Sequence, residues 1–252
     1  DVIIRVCNDM VDLHAGAEAI ARVFGEELGI AIGETSPDGR FTLEYTPFLG
    51  MSDQAPAALV NDTVVTSLTP ELARQIAAQL KLGTEPGKLD LPLGDGNNAH
   101  PLIASMVNNN IYHVGDILLC DVPDGAGLRK ALDQQPGEVI EELWQSGLTG
   151  RGGAGFPTAR KWRLAAETHA ERRIVICNAD EGEPGTFKDR VLLTERAELM
   201  IEGMTLAAYA IHSNQGLIYL RAEYAYLAPY LESVLQDRRD KGMLGKNICG
   251  KP

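Results

Sequence analysis

A glycine-rich segment, GLTGRGGAGFPTARKW at residues 147–162, carries the first residue types that could do chemistry. Within it, GRGGAG at 150–155 matches the pattern GxGxxG. Glycine lets backbone N–H groups come close to a phosphate or a flat ring, and Arg151 and Lys161 supply a cation at either end. Phe156 is costly to expose unless it stacks on another group. The segment favours a phosphate-bearing ligand, with a flexible surface loop as the alternative.

A second polar segment, CNADEGEPG at 177–185, follows the predicted strand RRIVIC. In open α/β sheets, ligands bind beyond the carboxyl ends of the strands. Asn178 can donate and accept hydrogen bonds, whereas the ionised carboxylates of Asp180, Glu181 and Glu183 only accept them. Acceptors suit ribose or ribityl hydroxyls and repel a 2′-phosphate, which favours NAD(H) over NADP(H). A Mg²⁺ or Ca²⁺ site and a solvated acidic turn are the alternatives, although the spacing is not that of an EF-hand.

The elements that position these segments predict an α/β domain. A standard dinucleotide fingerprint requires a strand before its glycines, but the preceding EVIEELWQSGL has a helical pattern. The pattern predicts two helices that meet near Pro136, and then a third helix at KWRLAAETHA. The strand RRIVIC, which we expect to be buried, and one long helix at RVLLTERAELMIEGMTLAAYAI come next. The strand GLIYLRAEY and a further helix complete a pattern that predicts a parallel sheet covered by helices.

The N-terminal part predicts a smaller α/β domain. VIIRVC and FTLEYTPF are strand candidates, AALVNDTVVTSL has the pattern of two short strands, and 16–30 and 69–80 are helix candidates. The next segment is rich in Gly, Pro, Asn and Asp. We therefore expect a first domain at 1–85, a connecting segment at 86–124 and a second domain at 125–252.

The composition excludes several classes of function. The formal net charge of −12 argues against nucleic acid or an anionic membrane as the main partner. No apolar run approaches the roughly 18 residues of a membrane span, and the first residues lack the pattern of a signal peptide. Four cysteines lie far apart without a CxxC pair, which argues against a disulfide framework. A cytoplasmic protein is predicted.

The glycine segment and the acidic turn together resemble the flavin-carrying, NADH-oxidising subunit of respiratory complex I and its relatives, over about 125–252. The resemblance implies hydride transfer between NAD(H) and FMN, with no side chain as a catalytic acid or base. The FMN-binding residues it implies are Gly150, Arg151, Gly152, Gly153, Lys161, Asn178, Asp180 and Glu181. Those implied for NAD(H) are Gly155, Phe156 and Glu183. Leu164 stands where the family commonly has a second aromatic residue.

The N-terminal domain resembles the thioredoxin-like [2Fe–2S] subunit that partners this flavoprotein. Of the four cluster positions that the resemblance implies, only Cys7 is a cysteine; the other three are Asp12, Phe48 and Ser52. One thiolate cannot hold such a cluster. We therefore expect a cluster-free, structural domain and no metal site in this chain.

A cluster-free thioredoxin-like domain ahead of an FMN domain resembles the diaphorase α subunits of cytoplasmic NAD-reducing [NiFe] hydrogenases. This implies iron–sulfur electron-transfer and hydrogenase subunits as partners in a hetero-oligomer, with electrons relayed through Fe–S clusters. The family's [4Fe–4S] cysteine motif is not in the sequence, which we interpret as a fragment whose C-terminal part is missing. The alternatives are a subunit of complex I or of an NAD-dependent formate dehydrogenase, a non-catalytic assembly scaffold, and a nucleotide-binding regulatory module.

Overall fold

A computed structural model describes residues 1–251, which form two compact units. The first comprises Asp1–Val114, Asp180–Glu195 and Leu220–Tyr230. The second comprises Gly115–Ala179, Arg196–Tyr219 and the residues from Leu231 onward. Two later segments of the chain thus return to the unit that holds the N-terminus. The sequence predicts domains that follow one another along the chain, with limits at 1–85, 86–124 and 125–252. These limits stay a prediction.

The first unit contains a five-stranded sheet in the order β2-β3-β1-β4-β5. Its strands are β1 Val2–Cys7, β2 Glu34–Thr35, β3 Phe41–Thr46, β4 Ala58–Val60 and β5 Thr63–Val65. β1 pairs in parallel with β3 and antiparallel with β4. The four strands predicted from the sequence are present, whereas the two-residue β2 is too short to leave a periodic pattern.

Helices α1 Met10–His14, α2 Ala17–Leu28 and α3 Pro70–Lys81 complete this part of the first unit. α3 begins as its sequence predicts, because the Thr69 side chain accepts a hydrogen bond from the Leu72 N–H at 3.2 Å and a proline follows it. α2 and α3 pack together and bury one apolar face each against the core of the sheet. β1 contributes Ile4 and Val6 to this core, and Cys7 lies at its carboxyl end.

The second unit has a helical core. α4 Ala126–Leu132, α5 Pro136–Ser146 and α6 Thr158–Glu167 precede strand β6 Val175–Ala179. Residues on these helices and on a later one form a buried cluster, consisting of Ala131, Val139, Ile140, Ala159 and Ala210. The two helices predicted around Pro136 are confirmed.

Two helices replace the single long helix that the sequence predicts after the acidic turn. α7 is Lys188–Glu195 in the first unit, and α8 is Ala197–Ala210 in the second. The break falls at Arg196, whose backbone at φ −141° and ψ 33° is not helical. The Arg196 side chain donates to the carbonyls of Leu118, Leu119 and Cys120 within the second unit. Strand β7 Gly216–Leu220 and helix α9 Ala228–Asp240 follow.

β6 and β7 are neighbours in a two-stranded sheet, and the expectation of a buried strand at β6 is wrong. Ile176 is 60% exposed, and Cys177 is half-buried. Within the described residues, this sheet has no third strand to extend it, so alternate side chains of β6 reach solvent. None of the helices in residues 1–251 is both long enough and apolar enough to span a bilayer.

Candidate functional site

The glycine loop joins two helices of the second unit. α5 ends at Ser146 and is capped by Gly147, which has φ 65°, and α6 begins at Thr158. Between them, Gly150 N–H donates to the Phe156 carbonyl at 2.9 Å and Thr158 N–H donates to the Leu148 carbonyl at 2.9 Å. These bonds close the base of the loop and leave residues 151–155 projecting from it. The arrangement is helix–loop–helix, so the segment is not a standard strand–loop–helix dinucleotide fingerprint.

The projecting part of the loop has an accessible backbone. Gly153 has φ 145° and Gly155 has φ 63°, conformations that side chains disfavour. A Cβ atom placed on Gly152, Gly153 or Gly155 would meet no heavy atom within 4 Å. A flat or phosphate-bearing ligand can therefore lie directly against these peptide groups. This open cradle fits FMN.

The charged and aromatic side chains of the loop are also accessible. Arg151 and Lys161 are exposed, and Phe156 is 41% exposed with the Arg160 guanidinium 5.6 Å from its ring centroid. Leu164, on α6, is 53% exposed. The second unit thus presents two cations and an aromatic face beside bare backbone, which suits a nucleotide.

The acidic turn has a different character, because one of its carboxylates is inside the protein. Glu183 is exposed and Asp180 is half-buried, but the Glu181 side chain is fully buried. Glu181 Oε1 accepts from the Asp189 N–H at 2.8 Å, and Oε2 accepts from the Arg190 N–H at 3.0 Å. Glu181 therefore holds the start of α7, where a carboxylate also meets the positive end of the helix dipole. Its predicted contact with FMN stays a prediction.

Two residues outside the motif fix Glu181. Tyr224 Oη donates to Glu181 Oε2 at 3.0 Å, and burial, followed by the neighbouring carboxylate, raises the pKa of Tyr224. Arg221 donates to the Glu181 carbonyl at 2.7 Å and the Phe48 carbonyl at 3.1 Å. The backbone of Glu181 takes φ 38°, which an L residue holds only when its surroundings enforce it. These contacts supply that enforcement within the first unit.

Arg190 ties the same turn to the thioredoxin-like part of the first unit. Its guanidinium is fully buried and donates two hydrogen bonds to the Asp53 carboxylate, at 2.9 and 2.8 Å, and one to the Gly50 carbonyl at 2.9 Å. Burial alone would lower the pKa of Arg190, but the hydrogen bonds and charge of Asp53 raise it. The guanidinium therefore remains charged inside the protein.

Sequence reasoning missed Arg190, Arg221, Tyr224 and Asp53 as supporting residues. A signal was present, since an arginine follows each of the segments TFKD and LIYL, close to the predicted site. The partners are far apart in the chain, 137 residues in the case of Arg190 and Asp53. A local pattern cannot show such a pair.

The predicted ligand residues are divided between the two units. The residues from Gly150 to Phe156, together with Lys161 and Asn178, belong to the second unit. Asp180, Glu181 and Glu183 belong to the first. Asn178 is exposed at the end of β6. That both groups form one site for FMN and NAD(H) is a prediction.

The residues at the predicted cluster positions do not fit a [2Fe–2S] cluster. Cys7 and Phe48 are buried, Asp12 is fully buried and Ser52 is half-buried. Burial raises the pKa of the Cys7 thiol to about 12 and that of the Asp12 carboxyl to about 6. Phe48 fills its position with a ring that lies 5.0 Å from the Arg221 guanidinium. One thiol and a phenyl ring cannot replace four cysteine ligands.

Two sequence families match separate parts of the chain. Residues 1–81 match the thioredoxin-like [2Fe-2S] ferredoxin family, and residues 143–249 match the Nuo51 FMN-binding domain. The α subunit of the NAD-reducing hydrogenase HoxS of Cupriavidus necator is 44% identical over 252 residues, which are 98% of this chain and 41% of that protein. The chain is similar to this α subunit over almost its whole length. Its fold class, a thioredoxin-like domain and a Rossmann-like FMN-binding α/β domain, is thereby confirmed, as is FMN as the cofactor of the second domain.

Other known proteins are similar to part or most of the chain. A subunit of the NADH-quinone oxidoreductase of Aquifex aeolicus is 47% identical over 123 residues, which are 49% of this chain and 29% of that protein. The crystal structure of an NAD⁺-reducing [NiFe]-hydrogenase in the H₂-reduced state superposes with a TM-score of 0.84 and 36% identity, over 95% of this chain and 40% of that one. The chain spans about two-fifths of the length of these hydrogenase relatives.

Proposed function

We propose that this chain carries the FMN- and NAD(H)-binding part of a diaphorase, in which a hydride passes between NAD(H) and FMN. The observation that carries the proposal is the open glycine loop within a matched FMN-binding domain. When bound, FMN supplies the hydride-accepting chemistry, and the protein supplies position and electrostatics. No side chain of the chain acts as a general acid or base.

In this proposal, the second unit contributes the phosphate and adenine contacts. The peptide groups of Gly150, Gly152 and Gly153 lie against the flavin, and Arg151 and Lys161 neutralise its phosphate or the charge of its reduced ring. At the same loop, Gly155 and Phe156 receive NAD(H), with the phenyl ring stacked on the adenine. The exposure of these groups, apart from the half-buried Gly155, supports the assignment.

The acidic turn contributes the hydroxyl and nicotinamide contacts. Asn178 and Asp180 bind the ring edge and ribityl chain, and the exposed Glu183 seats the nicotinamide half of NAD(H). Because both oxygens of the Glu181 side chain already accept hydrogen bonds, we propose that Glu181 serves FMN mainly by fixing this turn. The FMN and NAD(H) domain corresponds to residues 125–252, the thioredoxin-like domain to 1–85 and the connection to 86–124.

We further propose that the whole protein is a subunit of a cytoplasmic hetero-oligomer. Iron–sulfur subunits relay the electrons to or from a [NiFe] hydrogenase module, so that H₂ and NAD⁺ are converted to H⁺ and NADH. The α subunit of the NAD-reducing hydrogenase matches 98% of the chain, including the thioredoxin-like domain, whereas the NADH-quinone oxidoreductase relative of Aquifex aeolicus matches 49%. This difference favours the hydrogenase assignment over a complex I subunit.

Flavin reconstitution tests the binding part of the proposal. The purified chain is mixed with FMN, and flavin fluorescence quenching gives the stoichiometry and Kd. We expect one FMN per chain and a Kd raised about tenfold by Lys161→Met, since the loss of a phosphate contact costs about 1–2 kcal/mol. Lys246→Met, at another exposed lysine, is the control. A folded chain without stoichiometric FMN would favour the assembly scaffold.

A further inference from the structure

A polar cluster at the end of β1 has no part in the proposed hydride transfer. It consists of Cys7, Asp9 and Asp12, and one ligand atom from each lies within 4.8 Å of the others. Cys7 is 2% exposed and Asp12 is fully buried, while Asp9 is half-buried and connects the cluster to solvent. Buried thiol and carboxylate groups at such distances need a reason, because ionised groups away from water are costly.

One oxygen of this cluster lacks an N–H or O–H donor. Asp12 Oδ1 accepts from the Ala57 N–H at 2.7 Å, whereas no N–H or O–H group donates to the buried Asp12 Oδ2, and the Cys7 thiol is the side chain that interacts with this carboxyl. An unsatisfied buried acceptor costs about 1–3 kcal/mol, and more when it is charged. A cation beside Cys7 would remove this cost.

The carboxylates are already oriented by other groups. Asp9 Oδ1 accepts from the Asp12 N–H at 2.9 Å, and Asp9 Oδ2 accepts from Ser52 Oγ at 2.9 Å. Each of these oxygens keeps a second lone pair. Hydrogen bonds of this kind orient metal-binding carboxylates in proteins. The cluster thus has both free ligand atoms and groups that hold them in place.

We propose that Cys7, Asp9 and Asp12 bind a single Zn²⁺, with water as the fourth ligand. A thiolate with two carboxylates suits zinc, whereas Mg²⁺ and Ca²⁺ avoid sulfur. Zn–S and Zn–O bonds of about 2.3 and 2.0–2.2 Å place tetrahedral ligand atoms roughly 3.5 Å apart. The ligand atoms of Cys7, Asp9 and Asp12 therefore move about 1 Å closer to one another when Zn²⁺ binds. The thiol proton of Cys7 leaves to solvent on binding. The proposed site is mononuclear and differs from the expectation that the domain has no metal.

Cobalt substitution tests this proposal without any flavin or NADH. The EDTA-treated, desalted chain is titrated with Co²⁺ alone, followed by Zn²⁺. We expect one Co²⁺ per chain with a thiolate-to-cobalt charge-transfer band, which Zn²⁺ then abolishes. Cys7→Ser removes the band, and Cys120→Ser, at a cysteine of the second unit, retains it. Ser52→Ala weakens Zn²⁺ binding about tenfold, since it removes only an orienting hydrogen bond.

Thermal unfolding provides a second test of the same site, for use if one of these variants folds poorly. Zn²⁺ at a hundredfold excess over Kd raises the Tm of the wild-type chain but not that of Asp12→Asn, because only a ligand bound to the folded state stabilises it. Far-ultraviolet circular dichroism establishes that each sample is folded. A folded wild-type chain that takes up no stoichiometric Co²⁺, or a charge-transfer band that survives in Cys7→Ser, overturns the proposal. Either result leaves the diaphorase assignment unaffected.

Discussion

Arg190 and Asp53 form a two-pronged ion pair inside the first unit, with nitrogen–oxygen distances of 2.9 and 2.8 Å. Asp53 belongs to the thioredoxin-like part, and Arg190 lies on α7, directly after the acidic turn. The backbone N–H of Arg190 also donates to Glu181. The thioredoxin-like part therefore supports the acidic turn through a buried contact, which is a structural role for a domain whose cluster positions have changed.

Removal of Arg190 is expected to be strongly destabilising. Arg190→Met leaves the Asp53 carboxylate, which is 14% exposed, without its partner, and we expect the free energy of unfolding to fall by about 3–5 kcal/mol. Denaturant unfolding followed by circular dichroism measures it. The control is Arg5→Met, which breaks the partly exposed pair with Glu44 and should cost under about 1 kcal/mol. Equal losses in the two variants would contradict this role for Arg190.

The two glutamates of the acidic turn are expected to behave differently. Glu181→Gln loses at least one of the hydrogen bonds to the start of α7 and Tyr224, so we expect a loss of about 1–3 kcal/mol in unfolding free energy without any ligand. Glu183→Gln, on an exposed residue, should change it by less than about 0.5 kcal/mol. Chemical unfolding of both variants provides the comparison. If Glu181→Gln left the unfolding free energy unchanged, the hydrogen bonds of Glu181 to the start of α7 would not stabilise the fold.

The proposed contact of Glu183 with the nucleotide gives a separate kinetic prediction. Glu183→Ala should raise the KM for NADH in flavin-loaded protein with an artificial acceptor, by about tenfold for one lost hydrogen bond to a charged group. The unfolding free energy should stay the same. An unchanged KM would remove Glu183 from the nucleotide site.

The Arg221–Glu223 pair predicts a pH dependence of stability. The hydrogen bond from Arg221 lowers the pKa of Glu223 below its usual 4.5 in the folded state. Its stabilisation is therefore complete above about pH 4.5 and is lost as the pH falls through the lower, folded-state pKa. Glu223→Gln should cost more unfolding free energy at pH 7 than at pH 3.5. An equal cost at both pH values would exclude the linkage.

The conformation of the glycine loop predicts a selective effect on flavin binding. Gly153→Ala forces a side chain to φ 145°, so the loop must change its shape, and we expect FMN affinity to fall at least tenfold. Because the loop is exposed, the Tm should change little. Gly137→Ala, in α5 where nothing lies within 4 Å of the new Cβ, should leave FMN binding intact. Fluorescence titration with FMN distinguishes these outcomes.

Local sequence signals predicted the elements better than the contacts between them. Thr69 and Pro70 correctly predicted the start of α3, and the helical pattern before Gly147 correctly excluded a strand there. Burial of β6 was predicted wrongly, because an apolar run does not reveal how many strands flank it. The burial of Glu181 could not be predicted, since its surroundings include Tyr224, 43 residues further along the chain.

Anaerobic titration of the FMN-loaded chain with NADH tests the central claim most directly. We expect one FMN per chain, whose visible absorbance is bleached by one equivalent of NADH. A folded chain that binds FMN but whose flavin absorbance NADH leaves unchanged would contradict the claim that these residues bring the two cofactors together.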